Sequence, residues 1–306
     1  MRNYNNGFEY ACALDKSKFA DESEYYKRGP VLWKELFEFS RDPQTYKQRT
    51  DQAERDVKPA YDFDYFNPDE PKFKEKRAVE DYILLGREYF KSRYEVFSAP
   101  VNPQTQRAYG PNTKKFEQAY EEARKAAFHN KALLSREQYQ LVQDVAESLL
   151  RNESARELVG TAPFAESRIY AVGALRTNDA LDVPVRAEIP RYSEHGLVVL
   201  KYVDSLDKLG FSYVKNLQYD KRLLFELGFY HLTLTDVLGA PFVPIHVVAV
   251  ELGETRRVCP FTLAPNCAEA VRVNVRTALT YWERARRSGL YLSPFSSVVQ
   301  IDRVYP

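Results

Sequence analysis

The chain of 306 residues is poor in the features that mark several large protein classes. Its three cysteines, Cys12, Cys259 and Cys267, are an odd number with no C-x-x-C and no Cys/His ligand spacing. That excludes a disulfide scaffold or a zinc site as the organising device and leaves structural thiols. No apolar run approaches the roughly 20 residues of a membrane span, and the opening MRNYNNGFEY has no apolar h-region. The expectation is a soluble, cytoplasmic protein with no membrane partner. The four histidines, His129, His195, His231 and His246, are scattered without an i, i+4 pair, and His246 reads as a core or strand histidine. G-x-G-x-x-G, G-x-x-x-x-G-K-[ST] and G-x-S-x-G are absent, which removes support for dinucleotide, P-loop and hydrolase-elbow chemistry. A surplus of one charge sign is missing too: the formal net charge is +1, so nothing in the sum demands a nucleic-acid partner. There is no internal repeat, low-complexity tract or long Gly/Ser linker.

What the chain does have is material for a substantial core, with 44% hydrophobic residues at this length. Residues 1–80 are rich in Tyr, Asp, Lys and Pro, as in YDFDYFNPDEPKFKEK, and read as an appendage of loop and short helix packed on a body of residues 81–306. Helical spacing covers 80–92, 112–127 and 135–151, the last opening on Ser135 with Gln138 three residues on, a capping-box pattern. Strand patterns cover 167–174, 183–192, 196–203 and 243–252, the last an apolar central strand. A helix at 221–238 separates the third and fourth strands, and another at 268–287 closes the chain. The body is therefore α/β, with a mixed central sheet flanked by helices.

Two features offer nucleic-acid chemistry. The closing helix carries Arg272, Arg276, Arg284, Arg286 and Arg287 against Glu269 and Glu283. These cations form either a solvated face near a helix C-terminus, where the dipole favours them, or a phosphate-contacting surface. Tyrosine is abundant at 22 residues, and its rings serve either to stack bases or to pack helices with their hydroxyls at the surface.

The sharpest chemical signal is 183–202, VPVRAEIPRYSEHGLVVLKY, which reads as a hairpin turning at Ser193-Glu194-His195. Period-two alternation puts Val199 on the same face as Lys201, and Glu188 on the same face as Pro190. A lysine on such a sheet needs a carboxylate or water, and Glu188 and Glu166 are the nearest candidates.

From about Pro30 to Leu292 the order of features resembles the RecE-type, exodeoxyribonuclease-VIII-like branch of the PD-(D/E)XK nucleases. Leu32-Trp33-Lys34 and Asp42-Pro43-Gln44-Thr45-Tyr46-Lys47 resemble that family's opening helix and DP-x-x-Y/F-K segment. Leu84-Leu85-Gly86-Arg87-Glu88-Tyr89-Phe90 resembles F-G-R-A-x-H, and Ala132 to Tyr139 resembles x-L-T-x-E-x-Y. Ala165-Glu166 resembles the start of A-E-x-S, Val183-Pro184-Val185-Arg186 resembles V-P-C-K, and Tyr219 with Glu226 to Tyr230 falls where the family has Y-x-x-Q-x-A-x-Y.

The resemblance implies a PD-(D/E)XK, restriction-endonuclease-like fold. In active relatives it also implies a Mg²⁺-dependent 5′–3′ exodeoxyribonuclease that encircles DNA as a ring, so an oligomer is compatible with it. Carried over residue by residue, the family's first metal Asp falls on Pro190, the acid before the lysine on Val199, the active-site His on Phe90 and the Gln on Glu226. Lys201 and Glu166 match. Since Mg²⁺ takes oxygen ligands, the implication is a degenerate nuclease with no metal and no cofactor, binding DNA or a protein of the recombination machinery in a phage or mobile-element system. A second reading keeps the enzyme, with Glu166, Glu188 and Glu226 as relocated Mg²⁺ ligands beside Lys201; against it, one strand repeat moves a ligand ~6.6 Å. A third uses the fold as a structural scaffold.

Overall fold

The computed structural model describes residues 14–18, 30–55, 71–126, 131–159, 165–193, 195–203, 206, 220–241, 243–253 and 255–292. In chain order the elements are α1 (Trp33–Arg41), α2 (Pro43–Arg55), α3 (Pro71–Leu85), α4 (Arg87–Arg93), β1 (Tyr94–Phe97), α5 (Lys114–Ala126), β2 (Ala132–Ser135), α6 (Arg136–Arg151) and α7 (Glu153–Val159). Then follow β3 (Ala165–Arg176), β4 (Asp182–Ser193), β5 (Gly196–Val203), α8 (Lys221–Leu232), β6 (Ile245–Glu251), β7 (Val258–Thr262) and α9 (Pro265–Ser288).

Local signals explain most boundaries. The Ser135 hydroxyl accepts from Gln138 N at 3.2 Å while Gln138 Oε1 accepts from Ser135 N at 2.8 Å, the reciprocal cap expected of α6. The helix expected at 80–92 is instead two, broken at Gly86, whose φ of +89° only glycine adopts without strain. The helix expected to reach 238 ends as an α-helix at Leu232 and runs on through a π-turn, Thr233–Val237. The short parallel pair β1–β2 and the strand β7 have no counterpart in the sequence reading.

Strands β3 to β7 lie side by side in chain order. All neighbours are antiparallel except β5 and β6, whose parallel pairing requires the crossover that α8 supplies. Strand β6 is buried along its whole length, including His246 and Glu251 near its two ends, as the apolar run Val247–Val250 between them requires. One core lies between the sheet and α1, α8 and α9, with Trp33, Ile189, Val199, Phe229, Val247 and Val275 among its members. The other lies between the opposite face and α3, α4, α6 and α7, with Val79, Phe90, Val145, Val198, Leu200 and Val248.

The hairpin of 183–202 departs from its expected form in two ways. First, β4 and β5 pair only at Tyr192↔Leu197 and Ser193↔Gly196, while β5 stays on β6 as far as Val203. The two strands splay apart. Val31 fills part of the opening by bridging Val185, its N donating to Pro184 O at 3.0 Å and its O accepting from Arg186 N at 3.1 Å. Second, the alternation of β4 shifts by one near Pro190: Ala187, Ile189 and Tyr192 all enter the α1/α8/α9 core. The β3–β4 register passes from Ser167↔Arg191 to Ile169↔Ile189 without a 168–190 pair. Pro190 has no N–H to give, and Arg168 opposite is left-handed at φ +46°.

Candidate functional site

The shift at Pro190 decides where the acids of the hairpin point. Glu188 faces α3, away from α8, and meets two guanidiniums: Arg77 Nη1 donates to its Oε1, and Arg168 Nε lies 3.2 Å from the same oxygen. Arg168 also binds Asp81 at 2.6 Å and Glu80 at 3.3 Å. Arg77 Nη2 donates to the Tyr170 hydroxyl at 3.0 Å, and the Tyr94 hydroxyl donates to Asp81 Oδ2 at 2.7 Å. Three carboxylates therefore share two arginines in a space where Arg168 is 5%, Asp81 1% and Glu188 9% exposed at the side chain. Burial pushes the Glu80 carboxyl up to about 7, against the pull of Arg168 and Arg77. Burial likewise drives the Tyr94 and Tyr202 hydroxyls up, reinforced by Asp81 and Glu80 respectively. The Glu188 Oε2 atom is buried and accepts no hydrogen bond among the described residues.

A second group lies on the other side of the sheet. Lys201 Nζ reaches Asp220 Oδ2 at 3.2 Å, so its compensating acid is neither Glu188 nor a residue of the hairpin. Asp220 is also the N-cap of α8, its Oδ1 accepting from Leu223 N at 3.0 Å. One carboxylate thus orders both the helix start and the lysine. Glu226, nearly two turns further along α8, accepts from the Tyr230 hydroxyl at 2.9 Å; burial raises its pKa, opposed by that bond and by Lys34 and Lys201. Burial lowers Lys34 to about 8, against the attraction of Glu226. Lys34 Nζ and the Arg222 guanidinium each lie 5.7 Å from the centre of the Trp33 ring.

The sequence-derived site is thus divided. Lys201 and Glu226 share the α8 side, and Glu188 is held on the α3 side. Glu166 sits opposite Tyr192 in the ladder, and its side chain lies outside the described residues, as do Glu194 and Tyr219. Val199 is buried in the α1/α8/α9 core, and Phe90 is fully buried, stacked on Tyr94 with centroids 4.9 Å apart. Neither Pro190 nor Val199 has a side-chain oxygen for a metal. Among the described residues no three His, Cys, Asp or Glu side chains form a group that could hold one. Sequence reasoning missed Arg77, Arg168, Glu80, Asp81, Asp220 and Lys34. The one available signal was charge at core-facing positions of α3 and β3.

The five arginines of α9 each have a carboxylate: Arg272 and Arg276 reach Asp236 at 3.5 and 2.6 Å, and Arg286 and Arg287 reach Glu283 at 2.8 and 2.6 Å. Arg284 makes a two-pronged contact with Asp179, both bonds 2.7 Å. All five are thus engaged within the chain, and Arg272 is only 12% exposed at the side chain.

No family model matches the chain, and no curated protein does. Among solved structures, the fold is similar to that of a protein from Eubacterium rectale described as a "putative exonuclease". The TM-score is 0.54 at 8% identity, and the alignment covers 93% of this chain and 96% of that one. The likeness extends over nearly all of both chains and is one of fold.

Proposed function

We propose that this chain is a PD-(D/E)XK-type, RecE-like protein that has lost metal-dependent cleavage and acts by binding, as a DNA- or protein-binding component of a phage or mobile-element recombination system. The observation that carries the reading is the fate of the carboxylates. The positions where the family resemblance puts metal ligands are Pro190 and Val199, and the acids that do cluster nearby, Glu80, Asp81 and Glu188, are held by Arg77 and Arg168. Two buried guanidiniums already supply the positive charge these carboxylates compensate, and a divalent cation between them would meet that charge at close range. Among the described residues no three acids converge to hold one, so these residues do not fit Mg²⁺. Lys201, the one matching catalytic position with a described side chain, is turned to the N-cap of α8. The fold shared with an exonuclease-like protein supports the architecture of this reading, and the substituted positions support its loss of chemistry.

The test is a cleavage assay. Purified full-length protein incubated with end-labelled linear duplex and single-stranded DNA, with Mg²⁺ or Mn²⁺, is expected to release no nucleotides above a protein-free control. Metal-dependent release that Lys201→Ala abolishes would overturn the reading and restore the relocated-ligand enzyme.

A further inference from the structure

Away from both charge groups, a groove of about 1520 Å³ runs between α1–α2 and the C-terminal half of α9, floored by the start of α8. Pockets for small molecules occupy some 300–1,000 Å³, so this one has room for a length of chain. Its floor is apolar, with Phe37 and Phe225 in tilted contact at 5.5 Å. One rim is Tyr281, 59% exposed, with Leu290 at 64% and Leu292 at 69%. Tyr291 between the two leucines packs edge-on to Phe39 at 6.2 Å in a small aromatic core with Trp282, and the leucines stay outside that core. Exposed apolar side chains gathered on one rim mark interaction surfaces more often than scattered ones do.

The charges around the groove have a sign. Arg41, Arg49 and Lys221 line it, are exposed, and make no salt bridge among the described residues. This contrasts with α9, whose five arginines all have carboxylate partners. The lining acids are Glu38 and Asp42; Asp42 Oδ2 accepts from the Thr45 hydroxyl at 2.7 Å at the start of α2, and its charge also attracts Arg49. The groove therefore offers apolar anchoring sites flanked by an excess of positive charge, with Arg41, Arg49 and Lys221 against Glu38 and Asp42. A duplex-binding surface typically neutralises six to ten phosphates with a track of cations, and three cations beside aliphatic leucines do not make one. Among the described rim residues Tyr281 offers an exposed ring on which a base could stack, while the two exposed leucines fit apolar side chains instead.

We propose that this groove docks an acidic peptide segment of a protein partner, one whose apolar side chains enter between Phe37, Phe225 and Leu292 while its carboxylates meet Arg41, Arg49 and Lys221. None of these residues belongs to the Arg77–Glu188 or Lys201–Asp220 groups, so the proposal stands whether or not the chain cleaves DNA.

The test pans a random dodecapeptide library, displayed on phage, against the full-length protein. Recovered peptides are synthesised with a fluorescent label and titrated into the wild type, into Arg41→Glu/Arg49→Glu, into Leu290→Ser/Leu292→Ser, and into a control, Arg107→Glu/Lys125→Glu, on distant exposed positions. The expected peptides carry several Asp or Glu among Leu or aromatic residues. Each pair of groove substitutions should weaken their binding at least ten-fold, and the control should leave it within two-fold. Circular dichroism melting confirms that each variant is folded. Recovery of neutral or basic peptides, or of acidic ones insensitive to both groove variants, would overturn the proposal. So would a twelve-residue oligothymidylate that binds the wild type, loses binding in Arg41→Glu/Arg49→Glu and displaces the peptides, because that outcome assigns the groove to single-stranded nucleic acid.

Discussion

Arg168 concentrates the local cost of this fold in one residue. Its backbone is left-handed at φ +46°, its guanidinium is buried, and three carboxylates depend on it. A non-glycine residue in that region costs on the order of 1–3 kcal/mol and persists only where its surroundings enforce it. Removing one partner of a buried ion pair costs about 3–5 kcal/mol, because the remaining charges lose their compensation. Arg168→Ala is therefore expected to lower unfolding free energy by at least about 3 kcal/mol in urea titration. Arg168→Gly should be more stable than Arg168→Ala by about 1 kcal/mol, since glycine relieves the backbone while losing the same charge. Equal stability of the two would mean that the left-handed conformation is not strained. The acids make a separate prediction. Glu80 has its carboxyl raised from 4.5 to about 7, so between those values the folded state holds more protons than the unfolded one. Stability should then fall as pH rises through that window and level off above it. With the side chain 22% exposed, the effect is on the order of 2 kcal/mol at most. Glu80→Gln is expected to flatten this part of the stability–pH curve; an unchanged slope would show that Glu80 titrates normally. Glu188 was legible in the sequence as an acid of the hairpin. Its partners were not, because they come from positions 77 and 168, far from it in the chain, and only folding brings them together.

At the scale of elements, what could be read was what local chemistry dictates. The Ser135 cap, the apolar run of β6 and the basic end of α9 all appear as expected, because each is set by residues within a few positions of one another. What could not be read was pairing. Taking Glu188 as a candidate partner of Lys201 relied on unbroken alternation along β4, and that fails at Pro190, where the missing N–H and the left-handed residue opposite shift the alternation by one. The same limit hid the splay of β4 from β5, since Val31 competes for β4 from more than 150 positions away. The crossing of α8 over α9 is another non-local contact, and it rests on Gly228. A Cβ built there would lie 2.5 Å from the Val271 carbonyl oxygen, so the two helices approach backbone to backbone. Helix propensity alone favours alanine over glycine by about 1 kcal/mol. Against that, a collision with main-chain atoms forces the helices apart and opens the core around Phe229 and Val275, a cost of about 1–3 kcal/mol before cavities are counted. Gly228→Ala is expected to lower the melting temperature despite its better propensity. A rise would mean that α8 and α9 cross less closely than the sheet geometry requires.

Taken as a whole, the molecule raises the question of whether its front is an appendage, as residues 1–80 read in sequence. Trp33, Leu36 and the Val31 bridge tie α1 into the main core, and Arg77 and Asp81 of α3 carry the charge network on the other face. Such ties predict that front and body unfold as one unit, because removing α1 uncovers buried apolar surface on α8 and α9 while removing α3 strands Glu188. The chain contains two tryptophans, one within the front and one on α9 where the front packs against it. Trp33 is buried at the start of α1, and Trp282 packs on Phe39 at 5.1 Å near the end of α9. Trp282→Phe leaves a fluorophore in the front, and Trp33→Phe leaves one in the closing helix. Urea titration of each variant, followed by fluorescence and by far-ultraviolet circular dichroism, is expected to give coincident transitions within each protein. A Trp33 transition at distinctly lower urea than the loss of helical signal would show a front that detaches while the sheet persists. In that case the burial of Trp33 in the main core would contribute little to the stability of the body, and a version lacking the front should fold alone.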